Sequence, residues 1–235
     1  MKIEQISEHI WSIQTWLLIP VRVWAVLEED GVTLVDAGIP SMANGILKHI
    51  ERMHRAPLKR ILLTHGHSDH VGSVKRIVER TAAPVFAHAK EIPYLQGDAL
   101  YPRRKKLEQN IRKGLTQPLA EQEDGTLQPV GSLQPYFTPG HSPGHVVYYH
   151  AEDRVLLSGD LWTSKRGKLH RPMPMFTADL AEAVRSSQIL RQISPQRVEV
   201  CHGGPVFQPA DQLDEYIRTT TAAYSLPAIA KGLAL

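Results

Sequence analysis

Thr64-His65-Gly66-His67-Ser68-Asp69-His70 places three imidazoles and a carboxylate within six residues, directly after the apolar run Ile61-Leu62-Leu63. Imidazole and carboxylate together suit a borderline divalent cation. A strand entering from Ile61 aims His65 and His67 to one side, two residues apart. The chain then turns, and Asp69 and His70 fall where a helix over 69–80 is expected to begin. One short turn can therefore serve two adjacent metals. A metal-free, His-rich loop is the alternative, and three later segments weigh against it.

Thr138-Pro139-Gly140-His141-Ser142-Pro143-Gly144-His145 presents a histidine on a tight turn. Leu156-Leu157-Ser158-Gly159-Asp160 ends an apolar strand in a carboxylate, and Val198-Glu199-Val200-Cys201-His202-Gly203-Gly204 ends another in a histidine. Each candidate ligand stands where a strand gives way to a loop. Ligands so scattered cannot form a zinc finger, which needs local pairs. They imply an active site on the rim of a sheet.

These four segments, in this order, resemble the metallo-β-lactamase superfamily of metal-dependent hydrolases. Asp30 to Gly38, with Asp36-Ala37-Gly38 at its end, is similar to that family's strand ending in Asp-x-Gly. The resemblance implies an α/β, four-layer αββα sandwich of two mixed sheets with metals at one edge. It implies that His65, His67 and His141 hold one ion, that Asp69, His70 and His202 hold a second, and that Asp160 bridges them. Two divalent ions follow, zinc first, with iron or manganese as alternatives. A metal-bridging hydroxide then attacks a small ester-like substrate, a thioester or lactone, with Asp69 as the catalytic carboxylate. A mono-iron enzyme of the persulfide dioxygenase type and a non-catalytic metal-binding protein are the competing functions on this scaffold. The superfamily motif is specific for fold and weakly specific for substrate.

Asp36 and His145 are expected to support ligands by hydrogen bonding without ligating themselves. Cys201 adjoins His202, so strand alternation turns its side chain away from the metals, as a small buried hydrophobe. His9, His49, His54 and His88 carry no pattern.

Two segments are candidates for choosing the substrate. Trp16-Leu17-Leu18-Ile19-Pro20 forms either a greasy hairpin tip or a buried core turn. The loop 161–176 mixes cations with Trp162, Met173, Met175 and Phe176, and it is similar to the glyoxalase II region where a Gly-Lys pair binds glutathione. Gly167-Lys168 is offset from that pair, and Thr163 replaces the tyrosine found in acyl-homoserine lactonases. Trp16, Trp162, Lys168, His170 and Phe176 are the substrate-contact candidates.

At 235 residues the chain suits one domain over 1–235. Alternating strands and helices are expected on either side of a polar, basic, helical insertion at 89–127, with further helices over 41–54, 178–193 and 210–224. Net charge is +3, too small to imply nucleic acid, and the basic run at 103–106 reads as a solvated face or an anion-collecting rim. The single cysteine allows no internal disulfide and fits a reducing cytoplasm. The N-terminus lacks a signal-peptide layout and the longest apolar stretch is too short to span a bilayer. The partner expected is a small molecule, without nucleic acid or membrane; oligomeric state is left open.

Overall fold

Four strands open the chain as an antiparallel meander: β1 (Lys2–Gln5), β2 (Ile10–Leu17), β3 (Ile19–Glu28) and β4 (Gly31–Val35). In this computed structural model residues 1–53 and 57–227 are described. After β4 the sheet continues in parallel with β5 (Leu58–Leu62), β6 (Val85–Ala87) and β7 (Thr116–Pro118). Parallel pairing needs crossovers, and α1 (Ala43–Ile50), α2 (Ser68–Val71) and α3 (Val74–Thr81) supply them. α4 (Ile92–Leu95) lies between β6 and β7.

A second mixed sheet has the order β14-β13-β10-β9-β8, from β8 (Leu133–Phe137), β9 (Val146–His150), β10 (Val155–Leu157), β13 (Arg197–Glu199) and β14 (Val206–Phe207). A small hairpin of β11 (Thr163–Lys165) and β12 (Lys168–His170) stands apart from both. The helices α5 (Leu180–Ser186), α6 (Ile189–Ile193) and α7 (Leu213–Tyr224) complete the chain.

Strand alternation sets the layers. On β9, Val146 and Tyr148 join a core shared with the first sheet, α1 and α3, whereas Val147 joins a second core. On β10, Leu157 faces the first core and Leu156 the second. The second core is closed by Leu180, Val184, Leu190 and Leu213 from α5, α6 and α7. The result is an αββα sandwich. β4 is buried along its whole length, as a strand covered on both faces must be. Among the described residues no helix is long and apolar enough to cross a membrane.

Several elements differ from the sequence expectation. The helix expected over 41–54 begins as a 3-10 turn, Pro40–Met42, and its α-helical part ends at Ile50; His54 lies outside the described residues. The helix expected over 69–80 is broken between α2 and α3. Gly72 sits there because a Cβ would meet the Gly38 carbonyl at 2.9 Å and the Ser68 carbonyl at 2.8 Å. The helices expected over 178–193 and 210–224 are each split as well, by a turn at residues 187–188 and by a 3-10 start at Pro209–Gln212. The insertion at 89–127 is not helical. Its Lys, Glu and Gln content suits a helix, but Gly97, Pro102, Gly114 and Pro118 interrupt it, while Pro93 falls in the first turn of α4, where proline is tolerated. It holds only α4 and β7, and β7 becomes the edge strand of the first sheet.

Candidate metal centre

The seven candidate ligands converge from four segments at one rim of the sandwich. His65 and His67 follow β5, Asp69 and His70 open α2, His141 lies between β8 and β9, Asp160 follows β10 and His202 follows β13. Two contacts bind the sheets together there: the Tyr148 hydroxyl donates to the Leu63 carbonyl at 2.8 Å, and the Val146 amide donates to the Thr64 carbonyl at 2.9 Å. Gly159 adopts φ 49°, and a side chain there would press into Thr64. Only glycine brings Asp160 this close to the histidine turn.

Three ring nitrogens meet in the first cluster. His65 Nε2 lies 2.9 Å from His67 Nδ1 and 3.2 Å from His141 Nε2, and His141 Nε2 lies 3.0 Å from His67 Nδ1. A tetrahedral ion with Zn–N near 2.0–2.1 Å would set its nitrogens about 3.3 Å apart. Burial pushes His65 and His141 well below the usual imidazole range and His67 down to about 4. These rings are therefore neutral at pH 7 and their lone pairs are available.

The second cluster is charged. Asp69 Oδ2 lies 3.2 Å from His202 Nε2 and 3.9 Å from His70 Nε2. Burial opposes ionisation of Asp69, but His70 and His202 outweigh it and hold the carboxyl down at about 2. Burial likewise disfavours charge on His70 and His202. The Cys201 sulfur and the surrounding carboxylates overcome it for His70, and Asp160 foremost does so for His202, so both rings are raised. Asp160 stands between the clusters, with Oδ1 3.4 Å from His70 Nε2 and Oδ2 3.5 Å from His141 Nε2 and 3.3 Å from His202 Nε2.

Hydrogen bonds behind the rings fix their orientation. Asp36 accepts from the Thr64 amide and hydroxyl, both at 2.8 Å, and faces His70 Nδ1 at 2.7 Å. His70 Nδ1–H therefore donates to Asp36, and Nε2 turns to the site. Thr64 Oγ1 spends its proton on Asp36 and receives His65 Nδ1–H at 3.1 Å. His202 Nδ1–H donates to the Pro20 carbonyl at 2.8 Å. His145 Nε2 accepts the Asp160 amide at 3.3 Å while its Nδ1 faces Thr138 Oγ1 at 3.0 Å. His145 thus pins the Asp160 loop. Among the described residues His70 Nε2, His202 Nε2 and Asp160 Oδ1 are buried without a hydrogen-bond partner. Buried polar atoms are costly when unpaired. A donor set of imidazoles and carboxylates with orphaned atoms converging on one space fits divalent cations.

With this geometry in view, residues 17–200 match the family model described as the Metallo-beta-lactamase superfamily. The chain belongs to that superfamily. It is similar to the probable metallo-hydrolase YybB of Bacillus subtilis, 38% identical across 92% of this chain and 98% of that protein. A hydroxyacylglutathione hydrolase of Ectopseudomonas mendocina is 31% identical across 57% of this chain and 45% of its own length. Among solved structures, TTHA1623 in a di-iron-bound form superposes with a TM-score of 0.64 at 26% identity, covering 87% of this chain and 97% of that one.

Other sequence expectations fare differently. A cleft of about 290 Å³ opens on the ligands, lined by Asp69, Asp160 and His202 together with Leu17, Ile19, Arg104, Met173 and Phe176. Phe176 is thus at the site. Trp16 is on the hairpin but lines no part of this cleft; it is 69% exposed, because neighbouring strand residues point to opposite faces and Leu17 faces in. Trp162 is fully buried in the second core and cannot touch a substrate. Lys168 and His170 line a separate groove of about 590 Å³ beside α7. Cys201, expected to face away, lies with the ligand atoms of Asp69, His70 and His202, all within 4.8 Å of one another. Strand pairing ends at Glu199, so alternation no longer governs residue 201.

Two positions at the candidate site are not singled out by the sequence. Glu91 is fully buried between the histidine turns. It accepts the Gly66 amide at 2.9 Å and the Tyr101 hydroxyl at 2.7 Å on one oxygen, and the Ser142 hydroxyl at 2.9 Å and the Gly144 amide at 2.7 Å on the other. It joins the His65–His67 loop to the His141 loop. Nothing in its neighbourhood of sequence signals this. Arg104 was visible only as part of a basic run; its guanidinium sits 5.1 Å from the Phe176 ring centre, over the cleft.

Proposed function

We propose that this protein is a metal-dependent hydrolase acting on a small ester-like substrate, a thioester, lactone or similar, with two divalent ions, zinc first. The observation that carries the proposal is the pair of buried, partnerless Nε2 atoms of His70 and His202, on rings already oriented by Asp36 and the Pro20 carbonyl. The superfamily membership, the probable metallo-hydrolase relative and the di-iron relative support it. The named activity of the hydroxyacylglutathione hydrolase supports the acyl-ester class.

His65, His67 and His141 would hold one ion, and Asp69, His70 and His202 the other, with Asp160 reaching both. When bound, such ions supply a water nucleophile at neutral pH and polarise the acyl oxygen. The chain does the rest. Asp69 is the ligand most open to the cleft, with 31% of its side chain exposed. Its carboxylate stays ionised, which suits it to orient the attacking water more than to remove a proton from it. Leu17, Ile19, Met173 and Phe176 offer an apolar wall to an acyl group, and Arg104, 3.9 Å from the Glu108 carboxylate that also lines the cleft, offers a partly neutralised cation to an acidic one. A small, mostly apolar lining with a few charged groups suits a small molecule better than a polymer.

The test is a substrate panel on the zinc-loaded protein: thioesters, lactones, β-lactams and phosphodiesters. Turnover of thioesters or lactones, abolished by chelation and restored by zinc, is the expected result. Turnover of phosphodiesters alone, or none on any class by protein carrying two ions, would overturn the substrate class.

A further inference from the structure

We propose that Cys201 is a sulfur donor to the second metal position, making it a mixed nitrogen, oxygen and sulfur site. The inference rests on the two-ion reading above and extends it to a residue outside the seven-ligand set.

The geometry comes from the end of β13. The Cys201 amide donates to the Gly159 carbonyl at 3.0 Å, which ties it to the residue before Asp160. Gly203 then turns with φ 147° and lies against Ser164. The backbone is bent over this stretch, and Cys201 sits at the edge of the first core with its sulfur near the candidate ligands. Its sulfur forms one group with the ligand atoms of Asp69, His70 and His202, within 4.8 Å of one another. Cys201 is fully buried, so no solvent competes for the sulfur. The second observation is independent of the thiol. His70 Nε2 and His202 Nε2, on residues at most 5% exposed, point into the same space with no hydrogen-bond partner.

Soft thiolate alongside imidazole and carboxylate favours zinc, cobalt or iron over manganese or magnesium. Binding through sulfur replaces the S–H bond with a metal–sulfur bond and releases the proton to solvent. Among the described residues no cysteine groups with His65, His67 and His141, so the two positions would differ in metal preference.

X-ray absorption at the zinc edge of the fully loaded wild-type protein tests the assignment directly. A sulfur scatterer at about 2.3 Å is expected, absent in Cys201→Ser. The cobalt-loaded wild type should show a sulfur-to-cobalt charge-transfer band that the variant lacks. Loss of even a supporting partner of a ligand weakens metal binding by roughly 10–100-fold. Cys201→Ser should therefore weaken the second ion by on the order of tenfold or more in chelator competition, with its circular dichroism and first ion retained. Two bound ions with only nitrogen and oxygen scatterers in the wild type would overturn the sulfur donor and leave the two-ion reading standing. Failure to bind any ion would overturn both.

Discussion

The two ligand clusters share one rim and one carboxylate, yet they store charge in opposite ways. The first is three buried imidazoles, all driven toward the neutral form by desolvation. The second sets two imidazoles against two carboxylates, so its rings hold protons and its acids stay ionised. The first is ready for a cation at pH 7. The second is paired with itself, and a cation must displace protons to enter it. Position in the chain explains the contrast. His65, His67 and His141 come from turns braced by Glu91 and by each other, whereas His70 and His202 face the carboxylates of Asp69 and Asp160.

Removing the shared carboxylate tests the comparison most severely. Asp160→Ala should lower hydrolysis on the order of a thousandfold or more, about 4 kcal/mol of barrier, while circular dichroism shows the fold intact. It should also leave His70 and His202 less protonated, since Asp160 raises both. Two retained ions with near-normal turnover would contradict the placement of Asp160 between the clusters.

Glu91 probes the first cluster alone. Glu91→Gln replaces an acceptor of four hydrogen bonds by a group with two donors of its own. A buried donor left unpaired costs about 1–3 kcal/mol. For a chain of this size the melting temperature should fall by roughly 2–4 °C per kcal/mol. The ion at His65, His67 and His141 should weaken more than the ion at Asp69, His70 and His202. Equal weakening of both would mean that Glu91 supports the rim as a whole.

The cleft gives smaller effects. Arg104→Ala should raise KM for acidic substrates by roughly ten- to a hundredfold, the loss of a charge-assisted contact worth about 1.5–3 kcal/mol, with neutral substrates little changed. Phe176→Ala should raise KM by about tenfold or less for apolar acyl groups, about 1.4 kcal/mol at most. Trp16→Ala and Lys168→Ala should leave both constants unaltered, because neither residue lines the cleft. Steady-state kinetics on paired acidic and neutral esters checks all four.

What could be read before the structure follows the same divide. The candidate ligands His65, His67, Asp69 and His70 are legible because they are contiguous, and the layers because strand alternation is a local signal. Glu91 is illegible because its four partners, Gly66, Tyr101, Ser142 and Gly144, meet only in space. Cys201 is a buried member of the first core, as expected, but strand pairing ends at Glu199, so alternation does not set where its sulfur points. Trp162 looked like a contact because it follows Asp160, but the turn after Asp160 sends it into the second core. The insertion's composition suits a helix, and its prolines and glycines decide otherwise.

One titration addresses the central contrast directly. Zinc is added to metal-stripped protein at pH 7 in buffers of different ionisation heat, so that calorimetry counts the protons released with each ion. His65, His67 and His141 are shifted below pH 7, so the first cluster should release almost none. His70 and His202 are shifted above it, so the second should release about two from the rings, with further protons from the Cys201 thiol and from the water the ion pair ionises. Acidification should accordingly expel the second ion first. A single binding event, or equal proton release from both ions, would contradict the account.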